Sequence, residues 1–317
     1  MASAQQPAPR RTRPVVAQEP GPATRRAARR GWPLLRAVRP RQWTKNVLVL
    51  VVPAAAGELT RPQVLGASAV ALASFCLAAG AVYLLNDVRD APHDRRHPRK
   101  RHRPVAAGEL GPRTAVVAGV LLAVAALGLA AWWSLALGAV VAAYFAVQAA
   151  YTAGLKDQPV LDLAIVSSGF VLRVMAGGAA TEIPISGSLL LVASFGSLFM
   201  VSGKRFSEVG ALGEAGETRA SMKAYSQSYL RFVWSMAAAV TVVTYVQWAF
   251  EDAGGRPGDV SWGVISVAPL VLGMLRYAVD IDRGNAGAPE DLVLGDRVLQ
   301  VLAVLWLATV VPAVAGA

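Results

Sequence analysis

Apolar residues run along this chain in long blocks instead of alternating with polar ones. Blocks that reach or approach membrane-spanning length fall at about 44–58, 65–85, 114–132, 134–155, 159–180, 185–202, 229–250, 262–280 and 297–316. A helix needs about 20 mostly apolar residues to cross the hydrocarbon core, so the first and sixth blocks are the least sharply defined. No block alternates with a period of two, which argues against a membrane barrel. Without water to satisfy the backbone, helices are what remains. The pattern predicts an all-α, polytopic membrane bundle of about nine transmembrane helices. The run from Val47 to Gly57 has a small-residue end like that of a signal peptide, but it begins well beyond the usual limit of about 15–30 residues and reads as a span. Residues 1–31 are rich in Pro, Ala, Gln and Arg and almost free of large apolar side chains. Such a segment buries too little surface to offset its ordering entropy and reads as a disordered tail ahead of a membrane domain over 32–317.

Composition supports the blocks: 55% of the 317 residues are hydrophobic and only 16% are charged. The formal net charge of +11 raises nucleic acid as a partner, and the placement of the basic residues removes it. With the amino terminus inside and nine spans, 28 of the 31 Lys and Arg residues fall on the inner side, Arg61 and Arg256 fall outside, and Arg173 lies within the fifth span. Lys and Arg mark the cytoplasmic side of membrane proteins, so this separation predicts a multi-pass protein of the cell (inner) membrane with a cytoplasmic amino terminus. The basic belt would face anionic lipid headgroups of the bilayer. The lone cysteine, Cys76, excludes an internal disulfide and any multi-cysteine metal site, and its apolar surroundings read as packing.

The inner end of the second span carries the densest chemistry, YLLNDVRDAPHDRRHPRKRHRPVAAGEL from Tyr83 to Leu110. Asp87, Asp90 and Asp94 fall within about 60° of one another on a continuing helix, so their carboxylates share a face. Pro92 is expected to distort the last turn. Clustered carboxylates repel one another without a cation, and hard oxygen ligands suit Mg²⁺ shared with substrate phosphates. Two other readings stand beside this one. The carboxylates could form a salt-bridged loop with Arg89, Arg95 and Arg96, or His93 and His97, one turn apart, could belong to a zinc site that lacks an evident third ligand.

NDVRDAPHD (Asn86 to Asp94) resembles the NDxxDxxxD signature of the UbiA superfamily of membrane prenyltransferases. RPRQWTKNVLVLVVPAAAG (Arg39 to Gly57), HPRKRHRPVAAGEL, YTAGLK (Tyr151 to Lys156), FGSLFMVSGKR (Phe195 to Arg205) and LRYAVDID (Leu275 to Asp282) resemble one branch, the decaprenyl-phosphate phosphoribosyltransferases. The resemblance runs from about Arg36 to the carboxyl terminus. It implies a Mg²⁺-dependent transfer of phosphoribose from phosphoribosyl diphosphate to a polyprenyl phosphate lipid, releasing diphosphate, towards the arabinose donor of cell-wall arabinan. The wider superfamily has a second acidic motif of the DxxxD type. The nearest match here is Asp157 and Asp162, spaced five apart around Pro159, which leaves a second metal open.

Substrates with phosphates on both partners would need more cations than a prenyl diphosphate and an aromatic acceptor. The inner face offers Lys45, Arg103, Lys156, Lys204, Arg205 and Arg276 among others, with Lys45, Lys204 and Arg205 favoured because they end apolar spans. Lipid-facing snorkelling is the competing reading for each. Tyr83, Asn86 and Tyr151, within the quoted motifs, complete the candidate substrate-binding set. Arg173 lies about midway along its span, where a charge costs roughly 2.5–3.5 kcal/mol, and is expected to line a polar chamber, meeting Asp162 or a phosphate. A prenyltransferase acting on an aromatic or quinone precursor and a transporter are the rival functions, although no internal repeat supports the latter. Gly177, Gly178 and Gly196 allow close packing within one chain or between copies, which leaves a homo-oligomer open.

Overall fold

The computed structural model describes residues 32–97, 100–211, 224–252 and 261–315. The amino-terminal tail expected over 1–31 lies outside the described residues. Helices α3 (Pro62–Asp94), α4 (Pro112–Trp133), α5 (Leu135–Ala153), α6 (Leu161–Thr181), α7 (Gly187–Ala211), α8 (Gln227–Asp252), α9 (Trp262–Asp282) and α11 (Arg297–Ala315) form the bundle. All eight are long and apolar enough to cross a membrane. Short helices α1 (Pro33–Ala37), α2 (Val51–Ala55) and α10 (Pro289–Gly295) accompany them. This is a multi-pass membrane architecture. Large apolar side chains stand exposed along α4 (Val117, Leu121, Val124) and α11 (Val301, Val304, Leu305), where water would be a poor solvent.

The first expected span differs from expectation. Residues Pro40–Leu50 form a 3₁₀ helix that passes into α2, so among the described residues eight long helices stand where nine were predicted. The difference is geometric. A 3₁₀ helix rises about 2.0 Å per residue, and eleven such residues followed by five α-helical ones cover about 30 Å, close to a hydrocarbon core. The slim segment also lies unusually near α6: a Cβ added to Gly177 would stand 2.0 Å from the Val49 carbonyl oxygen. At the far end, Gly57, with φ +68°, brings its backbone against Val314 of α11, so the first and last segments meet there.

Two apolar cores divide the bundle. One joins the 3₁₀ segment to α3, α4, α5 and α6 through Val49, Phe75, Val141, Tyr144 and Ala176. The other joins α6 to α7, α8, α9 and α11 through Leu163, Phe199, Leu230, Tyr277, Ile281 and Leu299. Helix α6 belongs to both, and α3 is more deeply buried than any other candidate span. Gly177, Gly178 and Gly196 face Val49, Ile185 and Thr241 of the same chain, which explains the small residues by packing within one copy. Helix α3 runs about 50 Å through Pro92 to Asp94, so the proline does not interrupt it and the acidic motif stands on a helical extension beyond the apolar stretch.

Candidate active site

A third cluster closes the bundle beneath the motif. Ala37 at the end of α1 and Val38 just after it pack with Leu84 and Ala91 of α3, Val105 and Leu110 of the following loop, and Ala115 of α4. The loop reaches back through a 3₁₀ turn at Lys100–His102 and a tight turn at Gly108, φ +76°. Arg36 ties it to the amino-terminal segment by an ion pair with Glu109 at 2.5 Å. This folding-back places Arg103 over α3.

Asp87 is 2% exposed. Its Oδ1 accepts from Arg39 at 2.5 Å and from Arg103 at 3.3 Å, and Arg103 also donates to Asp94 at 2.6 Å. The Arg39 guanidinium lies 4.7 Å from the Tyr83 ring centroid, one helical turn before Asp87. Asp90 faces the end of α5 and pairs with Lys156 at 3.6 Å, while the Asn86 carbonyl oxygen accepts from Thr152 at 3.0 Å. The three carboxylates therefore share a face of α3 without gathering at one point. Among the described residues no three His, Cys, Asp or Glu side chains lie close enough to hold a metal as they stand. Asp87 and Asp94 meet on the Arg103 guanidinium, and Asp90 is drawn aside by Lys156. Their cationic partners are Arg39 and Lys156 from other segments and Arg103 from the loop after α3, not Arg89, Arg95 or Arg96. The zinc reading finds no third ligand either, and His97 accepts from the Lys100 amide.

Magnesium fits the donor set. Asp87 Oδ2 is buried without any hydrogen-bond partner, an arrangement that costs about 1–3 kcal/mol unless something satisfies it. Hard carboxylate oxygens of Asp87, Asp94 and Asp90 are the ligands that this ion prefers.

A second polar cluster lies where α6 begins. Asp162 is fully buried, and one of its oxygens accepts from Arg205 of α7 at 3.2 Å while the other accepts from the Tyr225 hydroxyl. Arg205 also pairs with Glu208 at 2.6 Å, and Lys204 lies 3.8 Å from the same carboxylate. The Val160 amide donates to Tyr225 at 2.6 Å, holding a β-branched residue at φ +69°. Burial and the hydrogen bond to Asp162 both raise the Tyr225 hydroxyl above its ordinary pKa. Helix α7 continues past the expected end of its span, so Lys204 and Arg205 sit on a helix face and not at a terminus.

Other expected residues lie apart. Arg276 pairs with Asp296 at 2.7 Å, and that pair pulls the carboxyl below its ordinary range. Arg173 does not meet Asp162; it donates to Asn46 at 2.8 Å and to the Gly169 carbonyl at 2.6 Å, between the rings of Phe75 and Tyr144. Lys45 and Tyr151 are half-buried. Arg39, Thr152, Glu208 and Tyr225 were not singled out from sequence. Only Arg39 carried a signal, as the first residue of the quoted RPRQWTKN run. An apolar groove of about 290 Å³ between α6, α7 and α8, lined by Leu163, Phe195, Leu198, Tyr229, Phe232 and Met236, holds no charged group and is not this site.

Residues 47–294 match the UbiA prenyltransferase family. The chain belongs to that family. Its structure resembles a UbiA homolog from Archaeoglobus fulgidus bound to DMAPP and Mg²⁺, with a TM-score of 0.68 at 16% identity over 90% of this chain and 99% of that one. Within the family, the chain is 48% identical over 288 residues to the decaprenyl-phosphate phosphoribosyltransferase of Mycolicibacterium smegmatis, spanning 87% of this chain and 91% of that protein. It is 45% identical over 286 residues to the enzyme of the same name from Corynebacterium glutamicum, covering 89% and 86%.

Proposed function

We propose that this UbiA-family protein is a membrane pentosyltransferase that moves phosphoribose from phosphoribosyl diphosphate to the phosphate of a polyprenyl lipid, decaprenyl phosphate, and releases diphosphate. The observation that carries the reading is the identity of 48% to a decaprenyl-phosphate phosphoribosyltransferase across nearly the whole of both chains. The lipid-linked product would lie towards the arabinose donor of cell-wall arabinan.

The local chemistry is consistent with it. Arg39, Arg103 and Lys156 surround three carboxylates at one end of the bundle, a mixture suited to holding several phosphates beside a divalent ion. Magnesium held by Asp87, Asp90 and Asp94 would neutralise the leaving diphosphate. The bond from the ribose C1 to the diphosphate oxygen breaks with its electron pair leaving on diphosphate. A new bond forms from C1 to an oxygen of the lipid phosphate. That nucleophile is already anionic at neutral pH and needs no general base. Arg103 and Lys156 orient phosphates, and Tyr83 and Asn86 hold Arg39 and the end of α5 in register with the motif. The motif end faces the cytoplasm of the inner membrane in this reading.

Purified protein supplied with magnesium, a polyprenyl phosphate and ribose-labelled phosphoribosyl diphosphate should yield a labelled lipid. Transfer from a labelled prenyl diphosphate to an aromatic acceptor, with no pentose transfer, would instead establish a prenyltransferase.

A further inference from the structure

Arg39 occupies a backbone conformation that side chains rarely adopt, φ +55°, ψ +64°. Such a conformation persists where the surroundings over-determine it. Here Val38 on one side is packed against Gly80 of α3, 3.4 Å from a Cβ placed there, and Pro40 on the other begins the 3₁₀ segment. The strained residue aims a guanidinium across Tyr83 onto Asp87 Oδ1, the same oxygen that Arg103 reaches. Two fixed positive charges therefore already serve two buried carboxylates, while Lys156 serves the third.

A bare divalent ion arriving there meets cations as well as ligands, and like charges at this range raise the cost of both. A diphosphate brings compensating negative charge, and the planar fork of arginine matches its oxygens. We propose that Arg39, together with Arg103, couples entry of the ion to entry of the diphosphate: the two guanidinium groups compete with the ion for Asp87 and are engaged by the diphosphate of the donor. Ion and diphosphate then bind each other's complex better than either binds alone. The inference rests on the proposed function only in taking a diphosphate-bearing donor.

Its test reads binding, not turnover. Mn²⁺ serves as the paramagnetic probe on the full-length detergent-solubilised protein, first alone and then with inorganic diphosphate. Arg39→Gly keeps the left-handed turn, which glycine adopts readily, and removes the side chain with its guanidinium. It should bind Mn²⁺ at least about tenfold tighter, while its affinity for inorganic diphosphate at saturating Mn²⁺ should fall by a similar factor. Arg39→Lys, which keeps the charge, should stay near the parent in Mn²⁺ affinity. A role in folding alone would weaken both ligands together. Unchanged or weaker Mn²⁺ binding by Arg39→Gly overturns the coupling. If that variant shows no thermal transition, Arg103→Gln carries the same pair of opposite shifts, and their absence there overturns it equally. Asp87→Asn separates this failure from a deeper one. Loss of Mn²⁺ binding in Asp87→Asn without tightening in Arg39→Gly rejects the arginine role alone, whereas undiminished binding in Asp87→Asn rejects the carboxylate site itself.

Discussion

A guanidinium at the middle of a membrane bundle needs acceptors, and Arg173 takes them from a side chain and from the backbone of its own helix. Asn46 accepts from it and donates to Cys76 at 3.2 Å, so one polar thread crosses from the 3₁₀ segment to α3 and α6. Phe75 and Tyr144 flank the cation at 5.4 and 5.2 Å, and a desolvated cation over an aromatic face gains about 2 kcal/mol. Removing one member should be worse than removing both. Asn46→Leu leaves the charge without its side-chain acceptor and should cost about 3–5 kcal/mol, whereas Asn46→Leu combined with Arg173→Met should regain most of that. Denaturant unfolding of the solubilised single and double variants measures the difference. A double variant as unstable as Asn46→Leu alone would show that the arginine stabilises by some other contact. The sequence showed that position 173 was costly; it did not show the partner, because Asn46 lies 127 residues away and reads as one more polar residue beside Thr44 and Lys45, ahead of an apolar run.

Between elements, the controlling facts are close approaches and pins. Gly177 lets the Val49 carbonyl lie where a Cβ would sit, so Gly177→Ala should force the 3₁₀ segment outward and cost about 1–3 kcal/mol. Gly128 of α4, with nothing within 4 Å of such a Cβ, is the matched control, and its alanine variant should be neutral or slightly stabilising. Comparing their thermal transitions in one detergent decides the matter. The start of α6 is held differently, by the Tyr225 hydroxyl between Asp162 and the Val160 amide. The folded state keeps that hydroxyl protonated beyond its ordinary pKa of about 10. Its contribution to stability should therefore be complete below about pH 10 and disappear as the pH climbs through the raised value. Tyr225→Phe should be less stable by about 1 kcal/mol at pH 8, and the gap to the parent should shrink at the alkaline end. A gap independent of pH up to the raised range and beyond would show that the ring, not the hydroxyl, holds α6. These contacts were not legible beforehand. Periodicity locates helices, but a 3₁₀ segment in an apolar run carries no distinct pattern, and Tyr225 lies 63 residues from the carboxylate that it grips.

For the whole molecule, the length and position of the apolar blocks were enough to locate the eight long helices seen among the described residues, since backbone hydrogen bonding in lipid leaves so few alternatives. The acidic motif was legible for the same reason, as it rides on the end of one of those helices. What the blocks could not supply was the company around it: Arg39 and Arg103 are brought to Asp87 by segments that fold back, a tertiary event with no local signature. The alternation of helix directions gathers the Asp87, Lys156, Arg205 and Arg276 ends on one side of the bundle and Gly57, Ser134 and Val314 on the other. Which side meets the cytoplasm has a consequence for chemistry, because a phosphorylated sugar donor cannot cross lipid unaided. With Cys76 replaced by serine, a single cysteine at exposed Ala107 should react with an impermeant maleimide only after cells are opened, and one at exposed Thr60 should react in intact cells. Labelling of Ala107→Cys in intact cells would put the carboxylates outside, away from cytosolic sugar phosphates. Labelling at Thr60 alone leaves the basic end against the anionic inner leaflet, where a soluble diphosphate donor and a lipid phosphate can reach the same carboxylates from opposite directions.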